Sequence, residues 1–534
     1  MRIFYLYNEK EREKLNKNGY DYSPAYFKAL FTLMGVSASA ISTKELGKIS
    51  EEDILVIGAE RIESLPNCRC VLLGTSMGND CAVSERKEQV FAYYERKNGQ
   101  KLPLFVPIKE RQITTGEVVA YACDGQNKTP ALIKGDKVYE FCFDFLASVW
   151  FSGDGYMPQA PSDYFPLHRT TDFRPLKSEL ETDAFNDFLV EELEEILREF
   201  GASMLYKLPQ KEGRIPDMLI HFSGDDDCTG KDINLQAVQN FNKYGFPYHI
   251  NAMANRGENF IFDKAVYDEI NSLGCEIALH TDFTAVPYSC DSLKSQVELF
   301  EKQFGNHPFT NTNHCFIQDN STAERMRWFN ACGIRADNGK IGSFDPSNIN
   351  AFDLYSFGFG TAFPRFTCDD AQHGNKHIDS IEIPITYYEP RLYEETSDKS
   401  KIRACIDGAK EHGRIIQFFI HPHYVSYYYK DKIIATMRVL DFIKEYTAQY
   451  DVLFTTTNNI TRFWFDRRDC SLKTDNNVIT VNAKTDVIVV LPCNFTGKQI
   501  SVDGVETPVT TKEQNGKTLS LVCITEGTHI ISCK

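Results

Sequence analysis

The sequence lacks the features that mark several classes of protein. No segment of its 534 residues approaches the roughly 20 consecutive apolar residues that a membrane-spanning helix needs, so we expect a soluble protein. The N-terminal residues pass from a short apolar run into a charged stretch. They lack the basic start, apolar middle and small-residue cleavage site of a signal peptide. A cytoplasmic location is the resulting expectation.

Charge and cysteine spacing exclude two further classes. The formal net charge is −16, and the sequence contains no basic stripe that could offset the repulsion of a phosphate backbone. We therefore expect no nucleic acid partner. The 16 cysteines are scattered, and the one close pair, Cys68 and Cys70, lacks the C-x-x-C spacing of zinc ribbons. Reduced, buried thiols are the favoured interpretation.

The chain is too long for a single hydrophobic core, since single domains rarely exceed about 250 to 300 residues. Changes in pattern divide it into four segments. We predict an α/β sheet domain over 1–145, a helical linker region over 146–205, a barrel over 206–470 and a small β-sandwich over 471–534. The sandwich would be either an accessory carbohydrate-binding module or a cap that packs on the rest.

Short apolar strands alternate with helical stretches in the N-terminal segment, which predicts a parallel or mixed sheet with helices on its faces. The run LLGTSMG lacks the lysine and spacing of a phosphate-binding loop. The order of elements resembles glutamine-amidotransferase-like modules. Where such a module would carry a nucleophilic cysteine, this sequence has Ser76 in a similar turn, so we expect no catalysis from this domain.

Two periodic patterns border the central segment. Between residues 182 and 200, apolar residues fall on one face of a predicted helix and carboxylates on the other, which indicates a helix that packs between domains. From about residue 475 onward, short apolar runs alternate with polar ones. Asp503-Gly504 and Asn515-Gly516 are typical hairpin turns between such runs.

The central segment repeats a strand followed by a helix seven or eight times. This rhythm predicts a central (β/α)7–8 barrel and an α/β class for the whole chain, although spacing alone does not distinguish a barrel from an open sheet. In such a barrel the polar residues at the carboxyl ends of the strands converge on one mouth. Four strand ends here carry Asp or His: HFSGDDD, ALHTDF, TNTNHCF and FFIHPHY.

The chemistry of these ends points to a metal. Asp225, Asp226 and Asp227 would repel one another unless protons or a cation neutralised them, and the alternative is a solvated acidic turn. The histidines that end the other strands are His280, His314, His421 and His423. Each could be a hydrogen-bonded core residue, but their common position at strand ends favours a metal site. Because Pro422 interrupts the strand, we expect only one of His421 and His423 to reach the mouth.

The order of these motifs, from about Met218 to Arg468, resembles the polysaccharide deacetylase family (NodB homology, carbohydrate esterase family 4-like). That family has an Asp-Asp pair after the first barrel strand, a His-Ser/Thr-x-x-His motif after a later strand, and a late apolar strand that ends in His. HFSGDDD, EIALHTDFT and QFFIHP follow the same order.

The resemblance implies a role for each motif. Asp226 would be the general base, with Asp225 as the alternative because the register within the triplet is ambiguous. Asp227 and His280 would bind a divalent metal, and His421 would protonate the leaving group.

One position departs from the family pattern. Thr284 stands where the family has its second histidine ligand. Another group, with His314, Asp282 and His423 as candidates, would complete the site, or else the metal is lost. We predict His314 as the third ligand and zinc as the metal, because zinc accepts one Asp and two His with an open position for water.

These implications predict a metal-dependent hydrolase that removes acetyl groups from a carbohydrate. The aromatic segments 357–366 and 424–429 would line its pocket, with Phe366, Arg365, Tyr424 and His423 binding the substrate, although core packing explains half of those aromatics equally well. A cytoplasmic enzyme would meet lipid-linked or nucleotide-linked sugar precursors. The alternatives are an inactive glycan-binding or scaffold protein and a hydrolase of other carbon–nitrogen bonds.

Overall fold

The computed structural model describes residues 1–10, 13, 17, 25–58, 64–74, 90–108, 116–125, 127–155, 162, 166–176, 182–319, 322–342, 352–369 and 376–533. Ser76 and most of the loop after LLG lie outside these ranges.

The N-terminal segment forms one mixed sheet with helices α1 (Ala25–Met34) and α2 (Phe145–Asp154). Its strands are β1 (Ile3–Tyr7), β2 (Ser39–Ser42), β3 (Ile54–Ile57), β4 (Arg69–Leu73), β5 (Ala92–Glu95), β6 (Lys101–Leu104), β7 (Glu117–Cys123), β8 (Lys128–Lys134) and β9 (Val138–Phe141). They lie in the order β2-β1-β3-β4-β9-β8-β7-β5-β6. The first five of these strands pair in parallel and the rest antiparallel. The likeness to amidotransferase modules stays a prediction.

The linker region holds the helix that its apolar periodicity predicts. After the short strand β10 (His168–Arg169), helix α3 spans Phe185–Glu199, and β11 (Met204–Leu205) follows. The apolar face of α3 joins one buried cluster with side chains of the N-terminal sheet and of the C-terminal strands. This helix therefore packs between the two ends of the chain.

The central segment alternates strands and helices. The strands are β12 (Met218–Asp225), β13 (Tyr248–Met253), β14 (Glu276–Thr281), β15 (Thr310–Asn313), β16 (Ile317–Gln318), β17 (Ala336–Ile341), β18 (Leu354–Tyr355), β19 (Arg365–Cys368), β20 (His377–Ile385), β21 (Tyr387–Tyr388), β22 (Ile415–Phe419) and β23 (Val452–Thr455). The helices are α4 (Lys231–Lys243), α5 (Lys264–Ser272), α6 (Cys290–Phe304), α7 (Thr322–Ala331), α8 (Ser400–His412), α9 (Lys430–Thr447) and α10 (Thr457–Asp469).

The central strands form one curled sheet in the order β18-β21-β22-β12-β13-β14-β15-β17-β20-β19, with β23 also paired to β12. The predicted closed barrel is not confirmed, because no ladder among the described strands joins the two ends. The short antiparallel strands β18 and β19 occupy the edges of β21 and β20 that closure would need. The curl still brings the two sides together inside, where Gln417 Nε2 on β22 donates to Asn338 Oδ1 on β17 at 2.7 Å.

The C-terminal segment consists of antiparallel strands: β24 (Ser471–Asp475), β25 (Val478–Ala483), β26 (Val487–Val490), β27 (Ile500–Val502), β28 (Val505–Glu506), β29 (Thr510–Gln514), β30 (Lys517–Ile524) and β31 (Gly527–Cys533). They divide into the sheets β11-β26-β30-β29 and β24-β25-β31-β27-β28. Both predicted hairpin turns are present, with Asp503 and Asn515 in left-handed conformations at φ 52° and 54°. The sandwich arrangement stays a prediction.

Within the part of the chain that the structure describes, every helix is too short or too polar to cross a membrane.

Candidate active site

The Asp and His residues at the strand ends gather because their strands are neighbours. Strands β22, β12, β13, β14 and β15 run in parallel side by side, so their carboxyl ends meet at one edge of the curled sheet. Gly224 on β12 allows the backbone around Ile420 to approach this strand closely, since a Cβ at position 224 would collide with the carbonyl oxygen of Ile420. The chain just before His421 therefore lies against the strand that ends in Asp225.

His280 is fully buried and presents one nitrogen to two carboxylates. Its Nδ1 lies 2.8 Å from the carbonyl oxygen of Thr312, which can only accept a hydrogen bond, so Nδ1 carries a proton. Its Nε2 lies 3.3 Å from Asp225 Oδ2 and 3.4 Å from Asp227 Oδ1. Burial lowers the pKa of His280, but the two carboxylates outweigh it and raise the pKa above its usual value. A cation, whether a proton or a metal, is needed between these groups.

His314 approaches the same carboxylate from the next strand. Its Nε2 lies 3.9 Å from Asp227 Oδ1, and its Nδ1 lies 3.4 Å from Asp282 Oδ1. Burial opposes protonation of His314, yet chiefly Asp282 raises the pKa to about 11. A carboxylate behind an imidazole fixes the ring and strengthens it as a ligand, an arrangement typical of metal-binding histidines.

Asp227 lies at the centre of the cluster, between three histidines. Its Oδ1 faces His280 and His314, while its Oδ2 lies 3.4 Å from His421 Nε2. Burial alone would raise the pKa of Asp227, but His421 and His280 hold it well below the usual range. Among the described residues, two groups of acidic, histidine or cysteine side chains have ligand atoms within 4.8 Å of one another, and both contain Asp227. One group is Asp227 with His280 and His314, and the other is Asp227 with Asp225 and His421.

Backbone strain concentrates at these strand ends. Asp227 and Cys228 both adopt left-handed conformations (φ 44° and 59°), as do Cys315 and Phe316 after His314 (φ 56° and 55°). Glu389 has φ 50°. Each such residue costs on the order of 1–3 kcal/mol and persists only where its surroundings enforce it, most often at functional sites.

His421 is held by a residue that the sequence analysis missed. Its Nδ1 lies 2.5 Å from Glu389 Oε1, and its backbone N–H donates to the same oxygen at 2.7 Å. The other oxygen of Glu389 pairs with Arg391 at 2.5 Å. Burial lowers the pKa of His421, but Asp227 and Glu389 raise it to about 9. The sequence did contain a signal for Glu389, because this acidic residue directly follows the strand run ITYY, just as the predicted Asp and His residues follow their strands.

Asp225 and Asp226 have different surroundings. Asp225 Oδ1 accepts a hydrogen bond from Asn251 Nδ2 at 2.7 Å, and its Oδ2 faces His280. Asp226 Oδ1 instead accepts from the backbone N–H groups of Met253 at 2.9 Å and Cys228 at 3.2 Å. Burial raises the pKa of both carboxyls, that of Asp226 to about 7. Asp225 thus lies within the cluster, and Asp226 supports the turn beside it.

Comparison with known proteins gives structural likenesses only. No family model matches the chain, and no curated protein matches it. A candidate polysaccharide deacetylase from Mycobacterium smegmatis superposes with a TM-score of 0.33 and 13% identity, over 49% of this chain and 95% of that one. A candidate polysaccharide deacetylase involved in O-antigen biosynthesis from Bordetella bronchiseptica gives 0.24 and 14%, over 40% and 73%.

A third likeness is to the Xyl-CE4 domain of a multidomain xylanase from the hindgut metagenome of Trinervitermes trinervoides. It gives a TM-score of 0.27 and 12% identity, over 46% of this chain and 90% of that domain.

The predicted substrate-binding residues divide into two groups. His423 and Tyr424 lie beside His421, with ring centroids 5.1 and 5.9 Å away. Burial lowers the pKa of His423 to about 4. The structure does not bring Arg365 and Phe366 to the cluster. Arg365 Nη2 lies 3.5 Å from Asp154 Oδ1 on α2, and Phe366 is buried in the apolar cluster that joins the domains.

Other predicted aromatics and Thr284 also lie apart from the donors. The phenylalanines of segment 357–366 are buried core residues, which agrees with the alternative that core packing explains them. Thr284 is exposed, and its hydroxyl donates to Asp282 Oδ1 at 2.5 Å. The position that the family gives to its second histidine therefore supports Asp282, which in turn holds His314.

The residues present fit a divalent cation. His280 Nε2 and Asp227 Oδ1 are buried and have no hydrogen-bond partner among the described residues, which is costly for polar atoms that nothing compensates. One carboxylate and two imidazoles are a donor set that zinc accepts, and other first-row transition metals bind the same ligand types.

Proposed function

We propose that this protein is a metal-dependent hydrolase that removes acetyl groups from a carbohydrate. The observation that carries the proposal is the placement of Asp227, which shares one carboxylate between His280 and His314 on one side and His421 on the other. The order of the strand-end motifs, which resembles that of polysaccharide deacetylases, supports the choice of an acetylated sugar.

Asp227, His280 and His314 would hold the metal. Each imidazole presents Nε2 to the cluster while Nδ1 is bound elsewhere, to the Thr312 carbonyl or to Asp282. When bound, a divalent ion supplies Lewis acidity, which polarises an acyl carbonyl and lowers the pKa of water.

Asp225 is the proposed general base. Asn251 fixes one of its oxygens, which leaves the other facing the cluster and free to take a proton from the attacking water. Burial raises the pKa of Asp225 and so makes it a better proton acceptor than an exposed carboxylate. Asp226, which two backbone amides hold, remains the alternative.

His421 is the proposed general acid. Glu389 binds its Nδ1–H and thereby orients Nε2 toward Asp227. Asp227 and Glu389 raise the pKa of His421, which favours the protonated ring, so Nε2–H can be donated to the departing amine or alcohol. Arg391 pairs with Glu389 and keeps that carboxylate charged.

Metal analysis joined to acetate release tests the proposal. We expect about one zinc or similar ion per chain as purified, loss of that ion in Asp227→Asn, and an Asp225→Asn variant that keeps the metal and releases no acetate from acetylated sugars. A wild-type chain that binds no metal after zinc is added back would refute the hydrolase and favour an inactive glycan-binding protein. Metal loss in both variants would show that the roles of the two carboxylates are misassigned.

A further inference from the structure

The carboxylate of Asp227 faces two separate groups of donor atoms. Its Oδ1 lies 3.4 Å from His280 Nε2 and 3.9 Å from His314 Nε2. Its Oδ2 lies 3.4 Å from His421 Nε2, and ligand atoms of Asp225, Asp227 and His421 lie within 4.8 Å of one another. A carboxylate whose two oxygens face different donor groups can bridge two metal ions, which in two-metal hydrolases lie about 3.5–4 Å apart.

His421 is held in the same way as the proposed ligand His314. Glu389 Oε1 lies 2.5 Å from His421 Nδ1, and His421 Nε2 is directed at Asp227. In His314, Asp282 Oδ1 lies 3.4 Å from Nδ1, and Nε2 is directed at the other oxygen of Asp227. A carboxylate behind an imidazole is the usual support of a metal-binding histidine. The orientation of His421 therefore suits a ligand as well as an acid.

Asp225 supplies the third donor of the second group. This residue is 3% exposed. Its Oδ1 accepts a hydrogen bond from Asn251 Nδ2 at 2.7 Å, whereas its Oδ2 accepts none from the described residues and lies 3.3 Å from His280 Nε2. A buried carboxylate oxygen without a donor is costly, and a cation beside it would compensate that cost.

The aspartates of the cluster carry more charge than one divalent ion offsets. Four of them meet at these strand ends: Asp225, Asp226, Asp227 and Asp282. None of the four pairs with a lysine or arginine side chain among the described residues. An ion held by two neutral imidazoles and one carboxylate therefore leaves the cluster negative, which attracts a second cation.

We propose that a second metal ion binds between Asp225, Asp227 and His421 and inhibits the enzyme. This inference rests on the proposed function. The second ion occupies Asp225 and the Nε2 of His421, so neither the proposed base nor the proposed acid can exchange a proton with the substrate. It binds more weakly than the first ion, because the first ion repels it and because it has one imidazole ligand where the first has two.

Zinc titration of the full chain tests the inference. The protein is stripped of metal, and zinc binding is then followed by competition with a chromogenic chelator. We expect about two zinc ions per chain, the second bound at least about tenfold more weakly than the first. His421→Ala should keep the first ion and lose the second. His307→Ala, which changes an exposed histidine that pairs with Glu301 at 2.7 Å, is the matched control and should keep both.

Cobalt gives a second readout that needs no variant. Two high-spin Co²⁺ ions that share a carboxylate couple magnetically, so the electron paramagnetic resonance signal per ion should fall as the second position fills. Acetate release at the same loadings should be highest near one ion per chain and at least about tenfold lower near two, since it loses general acid–base catalysis.

Four results would overturn the inference. They are binding that ends at one ion, a second ion that His421→Ala keeps and that is therefore an adventitious ion only, a cobalt signal that stays additive, and acetate release that is undiminished with two ions bound. Two coupled ions with no acetate release at either loading support the second position and contradict only the proposed function. Acetate release from a chain that binds a single ion contradicts only this inference.

Discussion

The central sheet contains two buried groups of charged residues, and they differ in how their charges are balanced. One links β17, β20 and α7, where Arg325 lies 2.7 Å from Asp337 and 3.4 Å from Glu382, and Lys340 pairs with Glu382. Every charge there has an opposite charge beside it. We call this group the ion network.

The candidate site has no such balance. Asp225, Asp226 and Asp227 lie together with Glu389, and Arg391 is the only permanently charged cation that pairs with any of them among the described residues. The remaining partners are histidines, which carry charge only when protonated. The ion network therefore pairs its charges within the fold, whereas the carboxylates of the site require protons or a metal. Charge balance thus distinguishes a structural cluster from a functional one where residue types alone do not.

The largest expected effect comes from Asp227→Asn. The substitution is isosteric, and asparagine tolerates the left-handed backbone at this position, so the fold should persist. We expect turnover to fall by about 10⁴-fold, since metal-based stabilisation of the transition state is worth several kcal/mol. Unfolding of the metal-free protein should become only modestly easier, because the substitution removes the carboxylate that pairs with His280 and His421 but also removes its repulsion of Asp225. A metal-free variant that unfolds far below the metal-free wild type would mean that Asp227 is structural.

Arg325→Met, in the ion network, should lower the stability of the fold and leave metal binding unchanged. The change leaves Asp337 and Glu382 buried without their guanidinium partner, so we expect unfolding to become easier by about 3–5 kcal/mol. Metal content should stay at the wild-type level in the fraction that folds. Urea denaturation measures the first quantity and elemental analysis the second. Arg403→Met, which changes an exposed arginine on α8, is the matched control, and an equal loss of stability in both variants would contradict the special role of the network.

The sequence predicted more of the site than of the sheet, for physical reasons. Asp and His at the ends of parallel strands converge whether the sheet closes or stays open, so His280, His314 and His421 could be placed together without knowing the topology. Closure depends on the short edge strands Leu354–Tyr355 and Arg365–Cys368, which leave no periodic signal.

In the acidic triplet, the family pattern did not predict which two carboxylates face His280. Strand β12 ends at Asp225, and Asp227 lies in the left-handed turn that follows it, yet both carboxylates face His280. The Asp-Asp pattern of the family suggested Asp226 and Asp227 instead, because the turn that brings Asp227 back toward His280 cannot be read from the spacing of the triplet. Likewise, aromatic runs do not reveal burial, so Phe366 and the exposed Tyr428 had equal standing in the sequence.

Asp282→Asn should have an intermediate effect. Its carboxylate orients His314, and the loss of such a partner typically lowers metal affinity by about 10- to 100-fold. Competition with a zinc chelator measures the affinity directly. Asp291→Asn, an exposed acidic residue in the first turn of α6, should bind metal as the wild type does. An Asp282→Asn protein with unchanged affinity would show that His314 is not a ligand.

Thr284→His should have the smallest effect. It restores the residue that the family has at this position, but the side chain there is exposed and directed to Asp282, while His314 approaches Asp227 from the next strand. We expect zinc affinity to change less than about twofold, since the backbone N–H of residue 284 still donates to Asp282. His314→Ala should lose the metal, and adding Thr284→His should not restore it. Recovery of zinc in the double variant would mean that position 284 can reach the metal, and that the described turn is one of two arrangements that this site can adopt.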